Sequence, residues 1–113
     1  MAVKLVDQYT DCVKQVDMLR EDVMRLHGYI EIRKDDLSET KARAQKLRLN
    51  QRTRAESEEA MKLCGVLRDD INDMKEDLNG AIWELVDVQC KLHELMQRPT
   101  VQRYLKALDK VKA

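Results

Sequence analysis

Cys90 and His93 stand one helical turn apart, a spacing that two zinc ligands can use. A zinc site needs about four ligands, and Cys12, Cys64 and His27 are remote in the sequence. No metal site is therefore expected. The carboxylates of Asp69, Asp70, Asp73, Glu76 and Asp77 could attract a cation. On a helix they spread around the polar faces, and a calcium loop needs turn geometry and a glycine missing from this stretch. No serine has a plausible histidine base, and no glycine-rich phosphate loop occurs. Neither catalysis nor a cofactor is expected.

The strongest local charge is KARAQKLRLNQRTR, residues 41–54, which contains Lys41, Arg43, Lys46, Arg48, Arg52 and Arg54 and no acidic residue. On a single helix, at about 100° per residue, Arg48 and Arg52 share a side with Lys41. Arg43, Lys46 and Arg54 then lie opposite, with the narrow strip Ala44, Leu47, Gln51 and Ala55 between the two flanks. Such a stretch is either a solvated, loosely paired helix or a contact for an acidic protein surface. Nucleic acid is the weaker reading, because aromatic side chains for base stacking are missing from it.

These residues must be positioned by helices. Charged residues make up 37% of the 113, Phe is absent, and three Gly and one Pro leave few turn signals. That is the composition of long helices and coiled coils. Net charge is zero but zoned: residues 1–37 carry −2, 38–55 carry +5 and 56–113 carry −3. Overall neutrality argues against a dedicated DNA-binding domain. Three cysteines form no even disulfide framework, which fits a reducing, intracellular setting. The apolar runs are too short to span a bilayer.

Two stretches repeat apolar residues at alternating steps of three and four. The first is Leu19, Val23, Leu26 and Ile30; the second is Cys64, Leu67, Ile71, Met74, Leu78, Ala81, Leu85, Val88, Leu92 and Leu95. This period predicts helices that bury a narrow seam against another helix. Between them the frame passes through Arg33, Gln51, Arg54 and Glu58, and only Leu47 and Leu49 are large and apolar between positions 38 and 60. The expected fold is all-α: a long helical coiled coil forming an extended rod, with a three- or four-helix bundle as the alternative. Four segments follow: an N-terminal coiled coil over 1–37, a charged, weakly paired helix over 38–60, a C-terminal coiled coil over 61–98, and a short amphipathic helix over 99–113.

Local signals refine this. Asp36-x-x-Glu39 resembles a capping box, which would restart a helix after Asp35. Asn79-Gly80 keeps the seam in phase on both sides and is expected to stay helical. Pro99 removes an N–H and disfavours helix at Arg98. Val13, Val16, Leu19 and Glu58, Met61, Cys64 each contain two three-residue steps, predicting local overwinding. Val23 and Ile30 at a with Leu19 and Leu26 at d favour a parallel pair. In a parallel homodimer Cys64 would approach its symmetry mate. Heterodimeric and antiparallel pairings stay open.

Outside the second seam lies an extra stripe: Ile82, Trp83, Val86, Cys90 and Met96. It either widens the seam for further helices or docks a partner protein on Trp83. The sequence thus describes a structural rod or adaptor for a larger intracellular assembly, of the kind cytoskeletal and axonemal structures use. A compact helical interaction module and a basic-segment binder of nucleic acid or acidic polymer are the alternatives.

Overall fold

The computed structural model describes residues 2–112, with side-chain environments for Lys4 to Lys112. It is all-α: α1 spans Ala2–Arg48, α2 Arg54–Met96 and α3 Pro99–Lys112, with a 3-10 turn at Gln51–Thr53. The chain divides into two compact units. The first, the turn unit, runs from Met24 to Asn79; the second, the three-helix unit, joins residues up to Val23 with those from Gly80 onward.

In the turn unit, α1 stops because Asn50 leaves helical geometry (φ −117°, ψ 127°) and its side chain accepts the Arg52 N–H at 3.1 Å. Thr53 completes the stop. Its hydroxyl donates to the Leu47 carbonyl at 2.6 Å, in the last turn of the ended helix, and lies 3.1 Å from the Asn50 carbonyl, which also accepts the Thr53 N–H at 3.1 Å. Leu49 occupies the tip, 89% exposed. The chain then returns antiparallel. Ser57 Oγ donates to the Ala44 carbonyl at 2.8 Å, and Arg33 Nε meets Asp70 Oδ2 at 3.1 Å. Neither Gly nor Pro makes this reversal, and residues 38–60 are helical on both sides of it.

The antiparallel pairing changes which residues form the seam near the turn. Ala44 and Ser57 are buried and Thr40, Leu47, Thr53 and Ala60 are half-buried, whereas Glu58 and Met61 are exposed. The inward series Ser57, Ala60, Cys64 and, in α1, Tyr9, Cys12, Val16 keeps the three–four alternation. The two predicted overwound steps are therefore absent: Ser57 and Ala60 hold the frame in place of Glu58 and Met61, and Tyr9 and Cys12 in place of Val13. Small side chains let two helix axes approach closely, so this part of the seam closes without large apolar groups. Two further corrections follow. α1 runs unbroken through Asp36, whose carbonyl accepts from Thr40 Oγ1 at 2.7 Å, so no helix restarts there. The favoured parallel geometry is not the one within the chain, and Cys64, 1% exposed, is shielded from crosslinking while the seam is closed.

In the three-helix unit the early part of α1 and the later part of α2 share a groove floored by Leu19 and Val88. α2 passes straight through Asn79 and Gly80. It ends at Met96, and Pro99 opens α3 at the first helical position, where its missing N–H costs nothing. α3 turns its apolar face inward: Val101 is fully buried, while Tyr104, Leu105 and Leu108 are half-buried. The Tyr9 and Tyr104 rings meet edge to face, centroids 6.4 Å apart at 69°, a favoured aromatic geometry.

Candidate interaction surfaces

All fourteen seam residues, Leu19 to Ile30 and Cys64 to Leu95, are buried or half-buried within the chain, with Ile30, Cys64 and Ile71 the most enclosed. They hold helices together and present little to a partner. The side chains that face outward are of two kinds, charged edges in the turn unit and an apolar stripe in the three-helix unit.

In an antiparallel pair the residues flanking the seam meet their own kind, e beside e and g beside g. One groove beside the turn is lined by Lys41, Arg48 and Arg54, with Gln45, Glu58 and Met61 around them and Ala44 and Ser57 at its base. The opposite groove is lined by Arg43, Glu56, Glu59 and Leu63 above Thr40 and Ala60. The basic run is thus split differently from the single-helix expectation. Arg54 joins Lys41 and Arg48 because it belongs to the returning helix, Arg43 lies on the other side, and Lys46 and Arg52 are exposed in neither groove.

The sorting extends along the unit. The e positions hold Lys34, Lys41 and Arg48 in α1 and Arg54, Arg68 and Lys75 in α2, with no carboxylate. The g positions hold Asp36, Glu56, Asp70 and Asp77, with Arg43 the one basic residue. One long edge is therefore basic on both helices, and the other is acidic along α2, while on α1 Asp36 and Arg43 offset each other. Local ion pairs trim this without erasing it: Arg33 spans Asp36 (3.5 Å) and Asp70 (3.1 Å), Lys34 meets Glu31 at 3.6 Å, and Lys62 meets Glu59 at 3.9 Å. All are solvent-exposed pairs, worth about 0–1 kcal/mol each. Single-residue patterning could have revealed the two edges, but only once the antiparallel pairing had been assumed.

In the three-helix unit the expected outer stripe faces solvent. Trp83 is 63% exposed, Ile82, Val86 and Met96 about 40% each, and Cys90 is exposed. Cys90 and His93 find no third ligand: among the described residues no group of three His, Cys, Asp or Glu side chains could hold a metal. No helix among them is long and apolar enough to cross a membrane.

Helix pairing, a polar turn and solvent-facing edges define an all-α protein whose turn unit is a helical hairpin. Comparison with protein-family models, curated proteins and solved structures gives no significant match.

Proposed function

We propose that this chain is a non-enzymatic structural protein, an adaptor that joins a larger intracellular assembly, of the cytoskeletal or axonemal kind, through helix–helix contacts. The observation that supports this most directly is Trp83. A tryptophan more than half exposed, flanked on the same helix by Ile82 and Val86, is costly to leave in water and is the residue type that most often anchors an interface. The charged edges add orientation, since complementary charge selects partners and register more than it adds affinity. The packing of α3 on the three-helix unit also favours a folded interaction module over a bare spacer.

The test is the native assembly itself. Trp83 is the single tryptophan, so its emission reports one site. The isolated chain should emit as a solvent-exposed indole, and the purified native complex should show a blue shift. Trp83→Ala should weaken incorporation by about 2 kcal/mol or more, roughly thirtyfold, as interface tryptophans do. Unshifted emission in the complex, or a chain that purifies alone under gentle conditions, would sink the proposal.

A further inference from the structure

The turn unit carries a basic edge whose e positions hold no carboxylate and, along α2, an acidic row whose counter-charge on its own side is limited to Arg33 and Arg43. Register makes the basic edge self-repelling. From the Ala44–Ser57 and Arg33–Asp70 contacts, residues facing each other across the seam have numbers summing to about 102. Lys34 therefore falls opposite Arg68, and Arg48 opposite Arg54. Like charges so placed are unfavourable and are relieved by a counter-charge brought from outside. The residue types on the other edge, Asp36, Glu56, Asp70 and Asp77, are that counter-charge.

We infer that the basic edge of one turn unit docks against the acidic edge of a second copy of this chain, side by side. Three observations select a second copy over a foreign polyanion. On α2 the basic row from Arg54 to Lys75 and the acidic row from Glu56 to Asp77 extend over the same length of helix, roughly 32 Å at 1.5 Å per residue. On α2 the charges of the two rows recur at the same intervals, Arg54, Arg68 and Lys75 beside Glu56, Asp70 and Asp77, so the rows match in pitch. The unit from 24 to 79 has 12 basic and 12 acidic residues, so stacked copies neutralise each other without another molecule. Basic edge to acidic edge is a heterologous contact: every added copy leaves one free edge of each sign, so growth is open-ended. This rests on the assembly role proposed above and names one of its partners.

Sedimentation velocity with two triple variants tests it. Lys41→Glu, Arg68→Glu and Lys75→Glu together bring the six-residue basic edge to zero net charge; Glu56→Gln, Glu59→Gln and Asp77→Asn leave the acidic side with only Asp36 and Asp70, both already paired with Arg33. All six side chains are solvent-facing, and circular dichroism checks that each variant stays helical. The wild type should form concentration-dependent oligomers at about 50 mM salt that dissociate at about 500 mM. Each variant alone should remain at the 13.3 kDa monomer mass, and mixing the two should restore a one-to-one dimer and nothing larger. A wild type that is monomeric at low salt overturns the inference, as do two folded variants that stay apart when mixed. A monomer that binds heparin or polyglutamate through Lys41 would reassign the edge to a foreign polyanion. A monomer whose Trp83 emission still shifts in the native complex would refute self-docking while leaving the adaptor role standing. If a variant loses its helix, the salt series on the wild type decides alone.

Discussion

The two compact units close the same kind of seam by opposite means. Near the turn, the helices meet over Ala44, Ser57 and Ala60, where there is little side chain to bury and closeness itself is the packing. In the three-helix unit, leucines and valines fill the seam, and a third helix brings Val101 and Tyr104 against it. Bulk demands a cover; smallness demands proximity and a satisfied hydroxyl. The bulky seam suffers from a lost methyl group wherever its neighbours cannot follow, while the small-residue seam tolerates no added atom at its tightest point.

Three substitutions separate these cases. Val101→Asp should have the largest effect, about 3–5 kcal/mol, because it places an unpaired charge at a fully buried site. Hydrogen exchange should then accelerate in α3 first, with the turn unit keeping its protection; equal loss in both would show that the units do not fold independently. Ala44→Leu comes next, at about 1–3 kcal/mol from overpacking. Here the order should invert, with protection lost around the turn. A thermal melt unchanged by that substitution would mean the helices are not closely apposed at Ala44. Smallest is Arg33→Ala, which removes two exposed ion pairs and should change the melting free energy by about 0–1 kcal/mol. A cost well above that would mark Arg33 as a hub of the turn unit.

Sequence legibility follows the same division. From Cys64 to Leu95 apolar residues recur at every seam position, and each lies buried or half-buried, because area removed from water dominates the energetics of such a stripe. Pro99 separates α2 from α3 as its chemistry requires, and continuity through Asn79-Gly80 could be read from the unbroken phase. The reversal at Leu49–Thr53 was not legible in the same way. It is made by Asn50 and Thr53, polar residues that look ordinary until their side chains are seen to take up the N–H and carbonyl groups of a helix end. A pattern that rewards size likewise passes over Ala44, Ser57 and Ala60. The outward position of Trp83, by contrast, needed only the heptad frame.

The turn has one more consequence. Seam contacts do not record which chain their partner belongs to. If Asn50 and Thr53 gave way and the helix ran on through residues 49–53, α2 of one molecule could lie along α1 of another and recover the same antiparallel layers, a domain exchange. The polar contacts at Asn50 and Thr53 therefore act as a topological latch: they decide whether an identical set of seam residues closes within one chain or between two.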